Sequence, residues 1–206
     1  MGTMKQRPLF LSLVAVGALT GLASAQEVDL SDIGYVLGSE EAPITVVEMG
    51  DFACSACALF HQTTWRDILA EYIEEGTVVW RHVPFVLGFP KGDDATKAAE
   101  CAADQGQYWE MHDVLFARQA HWTEPRNPKD TLVGYAAELG LDVEAFETCY
   151  DKNHGKDRTK RANRAAKELG VRATPTFYIN GFRIQGALPT EAFREILTSL
   201  SAPSSR

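Results

Sequence analysis

Long apolar runs are nearly missing from this chain of 206 residues. The one candidate, from Leu9 to about Leu22, is shorter than the roughly 20 apolar residues that a spanning helix needs, and no later stretch resembles one. There is no internal repeat and no low-complexity segment. Basic residues are in deficit, with 20 Lys and Arg against 28 Asp and Glu and a net charge of −8. An acidic chain is a poor candidate for nucleic-acid binding, which rests on a basic surface. Cysteine is scarce too. The sequence holds only Cys54, Cys57, Cys101 and Cys149, and no second closely spaced pair. A structural zinc site of the common four-ligand kind wants two such pairs, or one pair with two closely spaced histidines.

What remains at the start is a pattern for export. Lys5 and Arg7 precede the apolar run, and "ASA" at 23 to 25 offers small residues for cleavage after Ala25. Residues 1–25 are thus expected to be a signal peptide. Their removal takes the net charge from −8 to −10, because it deletes Lys5 and Arg7 and no acid. All four cysteines lie beyond Ala25, and an exported chain with an even cysteine count can hold disulfides. Spacing makes Cys54 and Cys57 a local pair and leaves Cys101 with Cys149.

The mature part reads in three blocks. Ile44 to about Met49 is a buried strand rich in β-branched residues. A helix from about Ser55 carries Trp65, Ile68, Leu69, Tyr72 and Ile73 on one face and stops at Gly76. "TVVWRHVPF", 77 to 85, is a second strand, so the first block predicts a βαβ unit with a parallel pair. The middle is helical. Asp93 or Asp94 caps a helix with Ala95, Ala98, Ala99 and Ala102 on one face, and Tyr108, Met111, His112 and Leu115 continue after Gly106. "TEPRNPKD", 123 to 130, reads as a loop. Leu132, Val133, Ala136 and Ala137 form a short helix, Asp142 caps the next, and a basic helix runs from about Arg158 to Leu169. The end returns to β structure. "TFYI" and "FRIQ" flank Asn180-Gly181, a type I′ hairpin signal, and Thr190 opens a final helix.

The chemistry concentrates in "FACSACALFH", residues 52–61. A Cys-x-x-Cys at a helix start brings two sulfurs within bonding range. It places the first where free N–H groups and the helix dipole favour a thiolate. On that logic Cys54 is the nucleophile and Cys57, deeper along the helix, the resolving thiol. Zinc and a purely structural bridge are the rival readings. Zinc would have His61 as a third ligand and no evident fourth. Glu48 is an acid inside an apolar strand. It is either an edge residue reaching solvent or a buried carboxylate with raised pKa that takes the proton from Cys57. Asp51 is assigned to the loop. For Thr174-Pro175, base rates favour a trans bond.

"VVEMGDFACSAC", "CAADQGQYWEMHDVLF" and "LGVRATPTFYING" together resemble the DsbA family of exported thioredoxin-fold oxidoreductases, over nearly all of the mature chain. The resemblance implies an α/β thioredoxin fold with an inserted helical domain. The expected boundaries are 26–90 for the N-terminal part, 91–160 for the insertion and 161–206 for the C-terminal part. It implies that Cys54 and Cys57 are the redox pair and that Glu48 is the buried acid. Pro175 becomes a cis-proline beside the pair, with Thr174 before it, and the backbone there binds substrate as an added strand. It further implies disulfide donation to exported, folding proteins in the periplasm and reoxidation by a membrane quinone-linked partner. No metal or organic cofactor is expected, and a monomer is, since no dimerisation domain is visible. A reductase or isomerase with the same residues, and a holdase with an inert bridge, are the alternatives.

The chain departs from that pattern in two ways. Ser55-Ala56 stands between the cysteines where familiar oxidases have proline then histidine. Losing the cation predicts a Cys54 pKa below that of a free thiol but above about 4, the lowest DsbA-like value. The extra cysteines, Cys101 and Cys149, are similar to a second disulfide found in a subset of the family. That bridge is expected to be structural, with two inert thiols as the alternative. His82 and His112 read as lone packing histidines, Trp109 with Tyr108 and Phe116 as core of the insertion, and "KDRTKR" as a solvated helix face.

Overall fold

The computed structural model describes Leu30 and residues 33–201. The signal segment with its cleavage after Ala25 lies outside the described residues, as does the tail 202–206.

The frame is a five-stranded sheet in the order β1-β3-β2-β4-β5. At its centre lies β2 (Ile44–Gly50), buried at six of seven positions because both faces of the sheet are covered. Strand β3 (Val78–Pro84) pairs with it in parallel from Ile44↔Val78 to Gly50↔Pro84, as the βαβ reading requires. On its other side β4 (Thr176–Ile179) runs antiparallel, with Glu48 opposite Phe177. The sheet is completed by β1 (Tyr35–Leu37), antiparallel to β3, and β5 (Phe182–Gln185), antiparallel to β4. β1 escaped the sequence reading because three half-buried residues carry no alternation. The hairpin turn has φ of 46° at Asn180 and 83° at Gly181, the two positive values that a type I′ turn needs.

Helix α1 covers residues 55–73. It starts as Ser55–Phe60, widens into a π-helical turn at His61–Trp65, and repeats the alternation at Arg66–Ile68 and Leu69–Ile73. With the last helix, α8 (Thr190–Ser201), it covers one sheet face. Phe60, Trp65, Ile68, Trp80, Phe177, Phe193 and Leu197 form the core between them. The opposite face packs Val47, Met49 and Val83 against Ala162 and Ala166 of α7 (Lys156–Glu168), a helix that runs across residue 160.

Between β3 and α7 lie α2 (Gly92–Ala103), α3 (Tyr108–Ala117), α4 (Gln119–Thr123), α5 (Lys129–Glu138) and α6 (Val143–Lys152). The alanine face of α2 is buried as its spacing predicts. Asp142 caps α6 by accepting from the Ala145 N–H at 3.0 Å. Three expectations change. Lys91, at φ 66°, begins α2, while Asp93 and Asp94 sit in its first turn, where the helix end favours negative charge. Ala137 faces solvent and Tyr135 takes the buried position on α5. The expected loop shrinks between α4 and α5. Cys101 and Cys149 are bonded, with Cα atoms 5.7 Å apart, and tie α2 to α6. Two inert thiols are therefore not what this pair forms.

Trp109 is not confined to the insertion core. Its indole N–H donates to the Val36 carbonyl at 3.0 Å, pinning α3 to β1. Nor is the "KDRTKR" face simply solvated. Arg158 pairs with buried Glu100 and reaches Asp104 Oδ1 at 2.7 Å.

Candidate active site

Cys54 is the residue before α1, extended at φ −76° and ψ 121°, and no side chain caps the helix start. Its sulfur therefore faces the free backbone N–H groups of the first turn. Cys54 and Cys57 are both buried and both free thiols, the reduced form of the pair. The pair is asymmetric. The Cys57 thiol, with help from Thr174 and the Ala56 and Cys57 N–H groups, pulls Cys54 down to about 5 against the opposing effect of burial. Burial pushes Cys57 well above its ordinary value, and the Cys54 hydrogen bond and the Glu48 charge push the same way.

Thr174-Pro175 is cis, so the base-rate expectation of a trans bond fails and the one implied by the family resemblance stands. The Cys54 thiol donates to the Thr174 carbonyl at 3.3 Å. The Thr174 hydroxyl is buried with no partner among the described residues, and is the donor left over for a thiolate at Cys54. Thr174 and Pro175 lie immediately before β4, so the sheet itself delivers them to the sulfurs.

Glu48 is fully buried on the central strand, which removes the edge reading. His61 Nε2 lies 2.9 Å from its Oε1, and the Trp80 indole donates to its Oε2 at 3.3 Å. The wide π turn of α1 carries His61 inward to this contact instead of toward the thiols. His82 and His112 are not lone histidines. They join His61 and Glu48 in one buried cluster, with ring centres 4.8 Å apart for His82–His112 and 4.6 Å for His61–His112. His82 is paired with Glu48 across the β2–β3 ladder. Burial holds His82 far below its ordinary pKa and lowers His112, so both imidazoles are neutral.

Two further residues shape the site. Asp51 is in the loop as expected, but is buried there. It accepts from the Ala53 N–H at 2.9 Å and the Leu87 N–H at 2.8 Å, and burial raises it to about 6. Its place three residues before Cys54 was visible in the sequence; its burial was not. Gln119, at the start of α4, donates to the carbonyls of Phe52 at 2.7 Å and Cys54 at 3.0 Å. It locks the insertion onto the cysteine loop, and no pattern in the sequence marks it.

A family model described as Thioredoxin matches residues 31–199. Among solved structures, oxidised BdbD from Bacillus subtilis superposes with a TM-score of 0.75 at 23% identity, over 84% of this chain and 94% of that one. Wolbachia pipientis alpha-DsbA1 follows with a TM-score of 0.71 at 25% identity, over 81% and 90%. Among curated proteins, the chain is 38% identical over 167 residues to "Na(+)/H(+) antiporter NhaA" of Herminiimonas arsenicoxydans, covering 81% of this chain. It is 39% identical over 171 residues to "Na(+)/H(+) antiporter NhaA 1" of Salinispora arenicola, covering 83% of this chain. It spans 25% of the length of each of these two relatives. No helix among the described residues is long and apolar enough to cross a membrane. A thioredoxin sheet, a helical insertion and a buried Cys-x-x-Cys beside a cis-proline agree with the family match: the chain belongs to the thioredoxin family, and its fold is DsbA-like.

Proposed function

We propose that this domain donates the Cys54–Cys57 disulfide to exported proteins as they fold. The asymmetry of the pair carries the reading, with Cys54 at about 5 and Cys57 well above its ordinary value. A substrate thiolate attacks Cys54, and Cys57 leaves as a thiolate that takes up a proton. A second substrate thiolate then attacks the substrate sulfur of the mixed disulfide and expels Cys54 as a stabilised thiolate. The substrate dithiol loses two electrons and the cysteine pair gains them. Glu48 is the proposed proton partner of Cys57, and Thr174 and Pro175 the proposed seat for an extended substrate segment. The exchange itself needs no metal or organic cofactor. The bonded Cys101–Cys149 supports an oxidising, periplasmic setting, reached by export with cleavage after Ala25. A membrane quinone-linked protein is the proposed reoxidant, and the chain is proposed to act as a monomer.

The reduction potential tests the direction. On equilibration of Cys54–Cys57 against glutathione buffers, a potential of about −120 mV, the strong-oxidant end of the range, would make the domain an oxidase and support the proposal. A value near about −270 mV would make the domain an electron donor and overturn the proposal. The curated relatives favour a second reading of the partner, a sodium/proton antiporter. Cys57→Ser traps mixed disulfides through Cys54. An antiporter among the trapped chains supports that reading, and exported soluble proteins alone count against it.

A further inference from the structure

The buried cluster around Glu48 leaves polar atoms unanswered. Nδ1 of His61, Nε2 of His82 and Nε2 of His112 are all inaccessible and have no hydrogen-bond partner among the described residues. Three such atoms in one place demand an explanation, because leaving a buried polar group unpaired is costly. Glu48 has no Lys or Arg among its partners, only His61 and the Trp80 indole.

The other nitrogen of each imidazole is held. His112 Nδ1 lies 2.9 Å from Asp113 Oδ1, and a carboxylate only accepts, so Nδ1 carries the proton and Nε2 a bare lone pair. The Trp65 indole donates to the same Asp113 oxygen at 3.1 Å and fixes it. His82 Nδ1 lies 2.5 Å from the Tyr108 hydroxyl, whose oxygen accepts from Nδ1–H in the tautomer that leaves Nε2 bare. A metal-binding histidine is oriented in this way, by a hydrogen bond from the nitrogen that does not bind, most often to a carboxylate, a backbone carbonyl or water.

Ligand atoms of Glu48, His82 and His112 all lie within 4.8 Å of one another. Tetrahedral zinc, with bonds of about 2.0–2.1 Å, holds its ligands about 3.4 Å apart, so modest side-chain torsions close the remainder. A cavity of about 280 Å³ touches the cluster at His61; Gln62, Trp65, Asp113 and Phe116 also line it, and none of the three candidate ligands does. We propose that Glu48, His82 and His112 bind one first-row divalent transition-metal ion, for which Zn(II) is the probe. Two imidazoles and a carboxylate with an open position suit such an ion. It would give two of the three orphaned nitrogens a partner and Glu48 a counter-charge. At the cysteine pair zinc runs out of ligands; the fold assembles a separate set that omits the cysteines. The group Asp104, Cys149 and His154 is the weaker alternative, because the Cys149 sulfur is consumed in a disulfide. Loading would also withdraw Glu48 from proton exchange with Cys57. That consequence rests on the proposed function, whereas binding itself does not.

The test uses the oxidised protein, in which no free thiol competes. Titration of Zn(II) against a chromophoric chelator is expected to show one equivalent bound at micromolar affinity or tighter. His112→Ala should weaken it at least a hundredfold, and His154→Ala should leave it unchanged. No binding by the oxidised wild type, or equal binding by His112→Ala, overturns the proposal. X-ray absorption of the zinc-loaded wild type decides the matter even if His112→Ala does not fold. Two imidazoles with oxygen support the site, and sulfur or no imidazole refutes it.

Discussion

The partnerless hydroxyl of Thr174 gives the most direct handle on the chemistry of the pair. It is buried beside Cys54, and a hydrogen bond to a charged group is worth about 1.5–3 kcal/mol. Thr174→Val keeps the shape and removes the donor. The Cys54 pKa is then expected to rise from its value near 5 by about 1 unit or more, read from thiolate absorbance on titration. The reduction potential should fall with it. An unchanged titration would assign the stabilisation to Cys57 and the helix N–H groups alone. The same residue shows the limit of linear reading. Thr174 and Cys54 are 120 positions apart, and only the resemblance placed them together. Glu48, by contrast, was legible as an anomaly, since an acid within "ITVVEMG" violates the strand pattern. Its two readings differed only in which strands flank β2, which one strand cannot reveal.

Among the elements, the link between α2 and α6 makes a separable contribution. Cys101 and Cys149 close a span of 48 residues, worth about 4 kcal/mol in the chain-entropy model. Replacing both with alanine is expected to lower the melting temperature by on the order of 10 °C. Disulfide transfer to a peptide substrate should stay largely intact. Loss of transfer with no loss of stability would give the bridge a redox role instead. The helices themselves were readable because alanine and aromatic residues recur at helical spacing in α2 and α3. β1 and α4 were not, because three and five residues are too few to establish a period. The π turns of α1 were equally hidden. They alter which side chains turn inward, and so His61 meets Glu48 and not the sulfurs.

At the scale of the whole molecule, the depressed Cys54 pKa links redox state to stability. In the unfolded chain Cys54 titrates near 9, and in the folded reduced form near 5. A depressed pKa stabilises the fold fully above the unfolded value, and the benefit disappears as pH falls through the folded one. Reduced protein should therefore gain on oxidised protein as pH rises between about pH 5 and pH 9. Calorimetry of both forms across that window checks it. A melting-temperature difference that does not vary with pH would show that the pair stores no thiolate stabilisation, and would remove the driving force for oxidation.

The βαβ start, the Asn180-Gly181 hairpin, the helical middle and the Cys-x-x-Cys at a helix start were determined by sequence alone. Each rests on local spacing, on turn chemistry or on hydrophobic period, and these act over a few residues. Tertiary structure decided what those elements enclose. It put β2 at the centre of the sheet, buried Asp51, set Gln119 against the cysteine loop, and drew His61, His82 and His112 from α1, β3 and α3 around Glu48. Such contacts join residues far apart in the chain. They are set by how sheet, helices and insertion close on one another to exclude water, and no local pattern records that closure.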